Sequence, residues 1–128
     1  MTDYKITDDE SVKGKNVLLE NTFNFALSVI EFSEILEETR KFVIAKQLLR
    51  SGTSIGANVR EAQFAESKSD FVHKLKIAEK ETSETEYWLL LCKHSKSYPF
   101  NENLLNEIAS IKRLLAKIII TSKQSITK

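Results

Sequence analysis

Apolar residues recur at alternating spacings of three and four along this chain, and almost nothing interrupts them. The 128 residues include only three glycines and one proline, too few for the many tight turns of a sandwich or barrel. Alternation of three and four residues is typical of helices that pack along their length. It is clearest in two stretches, at Phe71, Leu75, Ala78, Thr82, Thr85, Leu89 and Cys92, and at Leu104, Ile108, Ile111, Leu115 and Ile118.

The pattern predicts an all-α fold with four long helices. We expect helix 1 over residues 17–37 and helix 2 over residues 39–64, and we expect helices 3 and 4 to follow the N-cap residues Ser67 and Asn101. Short connections make successive helices antiparallel, which gives an antiparallel up-down-up-down four-helix bundle. A chain of this length fits one domain, and we expect residues 1–15 and 122–128 to be flexible tails.

Helix 1 carries more apolar surface than a monomeric bundle needs. It has two adjacent stripes, one with Leu19, Phe23, Ala26 and Ile30, the other with Leu18, Phe25, Val29, Phe32 and Leu36. Together they cover about half of the helix, whereas a surface helix usually presents an apolar stripe about 100° wide. Either helix 1 is unusually buried within the bundle, or the second stripe meets another subunit. Because large aromatic residues are enriched at interfaces, we favour an oligomer interface formed by Phe25, Val29, Phe32 and Leu36.

Two glycines near the middle of helix 2 require an explanation. An interior glycine is about 1 kcal/mol less favourable in a helix than alanine. Gly52 and Gly56 therefore indicate either that a neighbouring helix approaches closely or that helix 2 is kinked or broken there.

Charge is unevenly distributed along the chain. Residues 1–38 have a net charge of −6 and residues 39–128 a net charge of +7, although the whole chain is close to neutral at +1. The small total disfavours indiscriminate nucleic-acid binding, but a local basic surface still attracts phosphate. Such a surface for RNA or DNA is predicted on helices 3 and 4, at Lys74, Lys76, Lys80, Lys112, Arg113 and Lys117.

Few residues suggest catalysis or metal binding. A di-iron bundle needs an acid-x-x-His motif from each of two helices, and only Asp70 with His73 supplies one. Cys92, the only cysteine, lies on the apolar face of helix 3, which favours a buried thiol over a nucleophile. No cofactor or metal is predicted. Glu81 and Glu84 have acid/base spacing, but the arginines of helix 2 favour structural ion pairs among Arg50, Arg60, Glu81 and Glu84.

Two segments of the chain resemble a known family. They are QLLRSGTSIGANVREAQ, residues 47–63, and SKSDFVHKLKIAEKETSETEYWLLL, residues 67–91. Both are similar to helices of the bacterial four-helix-bundle proteins encoded in intervening sequences of 23S ribosomal RNA genes. The resemblance implies assembly into a ring, as a pentamer. That family is also similar to the accessory proteins of diversity-generating retroelements, whose basic pentamers bind a reverse transcriptase and nucleic acid.

These observations favour a non-enzymatic homo-oligomer that binds RNA, DNA or a nucleic-acid enzyme such as a reverse transcriptase. The alternative is a small metal-binding or enzymatic four-helix bundle. The polar N-terminus, and the lack of any run of about 18 apolar residues, predict a cytoplasmic protein without a membrane span.

Overall fold

Four helices make up most of the structure. It is a computed structural model, and it describes the backbone of residues 13–127 and the side chains of residues 16–124. The helices are α1 (Lys13–Glu38), α2 (Phe42–Ala62), α3 (Lys68–His94) and α4 (Glu102–Thr127). The helices α1 and α4 include residues 13–15 and 122–127, which were expected in tails. The rest of the predicted tails, residues 1–12 and Lys128, lies outside the described residues.

The predicted N-caps of α3 and α4 are confirmed. The Ser67 hydroxyl accepts a hydrogen bond from the backbone N–H of Asp70 at 3.0 Å, and Asn101 Oδ1 accepts one from the N–H of Asn103 at 2.9 Å. Each bond satisfies an N–H group that has no partner within the first helical turn. The sequence therefore fixes where these two helices begin.

Residue pairs across the interfaces show that neighbouring helices are antiparallel. In each interface a residue early in one helix meets a residue late in the next. The pairs are Thr22 with Gly56 and Val29 with Gly52 between α1 and α2, Arg50 with Glu84 and Glu61 with Lys74 between α2 and α3, and Glu86 with Lys112 and Lys93 with Glu102 between α3 and α4. Because α1 also packs against α4, each helix has two neighbours, and the described residues show no packing across either diagonal.

The predicted apolar face of α3 is buried along its full length. The α4 pattern also holds until its last turns, where Ile119 is buried in place of Ile118. The threonines of α3 are tolerated in the core because their hydroxyls bond within the bundle. Thr85 donates to the carbonyl oxygen of Glu81 at 2.7 Å, and its Oγ1 lies 2.9 Å from Oγ of Ser51 on α2. A buried hydroxyl with partners avoids the cost of an unsatisfied polar group.

The two apolar stripes of α1 are reversed relative to the prediction. The interior side chains are Leu18, Phe25, Val29, Phe32 and Leu36, each at most 2% exposed within a single chain. They therefore form the core of one bundle. The assignment of Phe25, Val29, Phe32 and Leu36 to an oligomer interface is wrong.

We call the buried residues of α1 the inner stripe. The burial of Thr22 explains why this stripe was assigned to an oligomer interface. Thr22 is 1% exposed and completes an unbroken alternation of four and three residues from Leu18 to Leu36. Its hydroxyl donates to the carbonyl oxygen of Leu18 at 2.8 Å, so its burial leaves no unsatisfied donor. When Thr22 is treated as a core residue, the inner stripe is longer than its rival and also contains two phenylalanines.

The glycines of α2 allow α1 to approach closely. Because α2 runs unbroken from Phe42 to Ala62, the alternative of a broken helix is wrong. A β-carbon at Gly52 would lie 2.8 Å from both γ-carbons of Val29, and one at Gly56 would lie 3.3 Å from the carbonyl oxygen of Thr22. Optimal carbon contacts are about 3.5–4.0 Å, so a larger residue at position 52 forces Val29 to move.

We predict that Gly52→Ala lowers the free energy of unfolding. Alanine favours the helix by about 1 kcal/mol, but overpacking against a buried, branched side chain typically costs about 1–3 kcal/mol. The measurement is a double-mutant cycle with Val29→Ala in urea. In that background the added methyl group has space, so Gly52→Ala should no longer destabilise.

Ala57→Gly, at an exposed position of the same helix, is the control that measures helix propensity alone. An increase in stability from Gly52→Ala in the otherwise unchanged protein would contradict the close approach.

Candidate nucleic-acid interface

Two of the six cations predicted to bind nucleic acid are in ion pairs that join helices. Lys74 Nζ lies 3.1 Å from Glu61 Oε1 between α3 and α2. Lys112 Nζ lies 2.9 Å from Glu86 Oε1 between α4 and α3. Such pairs at a surface contribute about 0–1 kcal/mol, but each places a carboxylate beside the cation. A phosphate at Lys74 or Lys112 would therefore have to displace that carboxylate.

The other four predicted cations are exposed on the outer sides of α3 and α4. We call them the basic face: Lys76, Lys80, Arg113 and Lys117. Within the part of the chain that the structure describes, none of these four side chains is in an ion pair. The contact between Lys112 and Glu86 sets the register of α3 against α4, which places Lys80 level with Lys117. The cations of the two helices therefore lie at similar heights along the bundle.

The acidic residues in the middle of α3 are engaged along its edges. Glu81 and Glu84 contact Arg50 of α2, and Glu86 contacts α4. The remaining acid of this stretch, Glu79, is half-buried. Consequently the outer side of α3 presents Lys76 and Lys80 with little opposing charge from its own helix.

Three of the four residues predicted to pair between helices 2 and 3 meet. Arg50 Nη1 lies 3.5 Å from Glu81 Oε2, and Arg50 Nη2 contacts Glu84. Glu84 Oε2 also accepts a hydrogen bond from Trp88 Nε1 at 3.0 Å. Arg60 does not join them, because it lies on the other side of α2, in the groove that faces α1. Since the Arg50 side chain is 49% exposed, the network fixes helix register more than it adds stability.

An exposed apolar surface lies along the groove between α1 and α2. It includes the α1 stripe that was predicted to face the core, together with Leu49 of α2. We call this surface the outer stripe: Phe23, Ile30 and Leu49, which are exposed, and Leu19 and Ala26, which are half-buried. Ile30 is 41% and Leu49 40% exposed, and the contact of Val29 with Gly52 places them at the same level. The sequence indicated that α1 has a second apolar stripe, but it did not indicate which of the two stripes faces outward.

The described residues contain neither a metal cluster nor a membrane-spanning helix. No three of their His, Cys, Asp and Glu side chains are grouped so that they could hold a metal ion. The Asp70 carboxylate accepts a hydrogen bond from the backbone N–H of Glu66 at 3.4 Å, just before α3 begins, and His73 is exposed on that helix. None of the helices in the described part is both long and apolar enough to cross a bilayer.

The single thiol of the chain lies inside the bundle. Cys92 is fully buried on the apolar face of α3. Burial disfavours the thiolate and raises the pKa of Cys92 from 9.0 to about 11. Because the thiolate is the nucleophilic form, Cys92 is unreactive at neutral pH.

Comparisons with known proteins agree with this architecture. The sequence model of a family described as 23S rRNA-intervening sequence protein matches residues 15–117. The chain is also similar to the crystal structure of a protein with unknown function from the S23 ribosomal protein family of Bacteroides thetaiotaomicron, with 43% sequence identity and a TM-score of 0.78. That similarity covers 83% of this chain and 97% of the other. No curated protein sequence matches the chain.

We predict that a thiol reagent at pH 8 modifies Cys92 at least about a hundredfold faster in denaturant than in the folded protein, because each pKa unit changes the thiolate fraction tenfold. The unfolded chain loses this proton near pH 9, whereas the folded chain retains it until about pH 11. Stability should therefore fall as the pH rises from 9 to 11. Equally fast modification of the folded protein would show that Cys92 is accessible.

Proposed function

The chain belongs to the 23S rRNA-intervening sequence protein family, and from that premise we propose that it is a non-enzymatic, homo-oligomeric protein that binds nucleic acid. The observation that supports this proposal is the basic face, in which Lys76, Lys80, Arg113 and Lys117 are all exposed on the neighbouring helices α3 and α4 of a chain with a net charge of only +1. Exposed cations without carboxylate partners are the groups that contact phosphates. The proposed ligand is RNA or DNA, and the proposed location of the protein is the cytoplasm.

The acidic residues of α1 do not strongly oppose binding along α3. Glu31, Glu34, Glu37 and Glu38 are exposed, but α1 lies diagonally across the bundle from α3. Packed helix axes are about 8–10 Å apart, so the diagonal is roughly 11–14 Å. The Debye length at physiological ionic strength is about 8 Å. Repulsion from α1 is therefore largely screened for a strand bound along the outer side of α3.

The outer stripe supports the homo-oligomeric part of the proposal. A bundle that already buries the inner stripe of α1 gains nothing within the monomer from an exposed Ile30 and Leu49. Contiguous apolar surface of this kind commonly marks a protein interface. The number of subunits, five, is what the family resemblance implies. Assembly would repeat the basic face and increase avidity for one strand. A reverse transcriptase as a protein partner comes from the resemblance alone.

The first test measures nucleic-acid binding by filter binding at low and physiological salt. We expect log K to fall with log salt by about 0.7–0.9 per neutralised phosphate, and we expect Lys80→Glu/Lys117→Glu to abolish binding. The matched control is Lys46→Glu/Lys96→Glu, which makes the same charge change at exposed positions elsewhere. Lys112 is left unchanged because its replacement would also break the pair with Glu86.

Absence of binding at low salt would contradict the nucleic-acid part of the proposal. Equal losses in the two double variants would show that net charge, and not the basic face, controls binding.

The second test concerns assembly. We predict that Ile30→Asp/Leu49→Asp yields a smaller species by multi-angle light scattering while the helical circular dichroism is retained, because these side chains are exposed in the single chain. Ile120→Asp, at a residue of α4 that is 57% exposed, is the control and should leave the mass unchanged. A monomeric wild-type protein at micromolar concentration would contradict homo-oligomerisation.

A further inference from the structure

An exposed aromatic side chain stands beside the cations of α3. Tyr87 is 55% exposed, and it follows Lys80 by seven residues and Lys76 by eleven. At 3.6 residues per turn these spacings keep all three side chains on one side of the helix. Tyr87 and Lys80 are about 10 Å apart along the helix axis, from the rise of 1.5 Å per residue. One strand that runs along α3 can therefore contact both.

Tyr87 is supported by a chain of contacts that continues to α2. Its ring packs edge-on with Trp88, with centroids 5.2 Å apart and planes inclined by 64°. The indole Nε1 of Trp88 donates to Glu84 at 3.0 Å, and Glu84 contacts Arg50. Trp88 is thus linked to α2 through Glu84, and its ring supports the neighbouring tyrosine. More than half of the Tyr87 side chain nevertheless remains open to solvent.

We propose that the outer side of α3 is a site for single-stranded nucleic acid, in which Tyr87 stacks on an unpaired base while Lys76 and Lys80 contact phosphates. This inference rests on the proposed nucleic-acid binding and specifies the form of the ligand. A base within a duplex is already stacked on both faces, so an aromatic side chain stacks on bases of a single strand. Stacking tolerates any sequence, because every base has a π face.

Electrostatics alone predicts no preference for the single strand. A duplex carries one charge per about 1.7 Å of its axis, twice the density of each of its strands. A surface that used only its lysines would therefore bind the duplex at least as well as the single strand. Preference for the single strand is for this reason diagnostic of stacking.

The experiment measures anisotropy of a fluorescein-labelled RNA of 20 nucleotides, alone and annealed to its complement, with the full-length protein. A DNA strand of the same sequence shows whether the affinity depends on the sugar, ribose or deoxyribose. We expect at least about tenfold tighter binding of the single strand than of the duplex, in line with the contribution of one stacked base. Tyr87→Ala should remove this preference, and Tyr87→Phe should retain it.

Two further variants separate stacking from charge and packing. Leu90→Ala, at a neighbouring residue that is 40% exposed, is the matched control and should bind like wild type. Tyr87→Ala should lower affinity without changing the salt slope, whereas Lys76→Glu/Lys80→Glu should reduce the slope. Thermal melting of each variant verifies that the bundle is intact.

The outcomes are distinguishable. Equal or tighter duplex binding, or a single-strand preference that survives in Tyr87→Ala, overturns this inference and leaves nucleic-acid binding standing. Failure to bind either form at low salt overturns the proposed function as well.

Discussion

The close contact of α1 with α2 at Gly52 is the constraint on which the rest of the arrangement depends. A β-carbon there would lie 2.8 Å from the γ-carbons of Val29, so the missing side chain sets both the separation of the helices and the rotation of α1. The glycines reduce helix propensity by about 1 kcal/mol each. Burial of the large inner side chains of α1, each worth roughly 1.5–3 kcal/mol, exceeds that cost.

The rotation of α1 determines what the bundle presents to solvent. With Phe25 and Phe32 inside, Ile30 necessarily faces outward beside Leu49. The same rotation directs the exposed glutamates of α1 away from α3, which lies across the diagonal. Both proposed interaction surfaces therefore depend on packing within the monomer.

Ion pairs at the helix edges determine which charges the basic face presents to solvent. Arg50 engages Glu81 and Glu84, and the pairs of Lys74 with Glu61 and of Lys112 with Glu86 use the remaining edges of α3. Exposed pairs of this type add little stability. The pairs matter for the distribution of charge. They hold acidic side chains in the grooves between helices, so that the outer side of α3 presents lysines and Tyr87.

The sequence by itself determined the four helices, the caps at Ser67 and Asn101 and the buried face of α3, because these depend on periodicity and on hydrogen bonds within a few residues. Only the tertiary structure decided which stripe of α1 is buried, on which side of α2 Arg60 lies, and which lysines are neutralised. Periodicity shows which residues share a face of a helix. The orientation of that face depends on the shape and register of neighbouring helices, which are set by packing between residues distant in sequence.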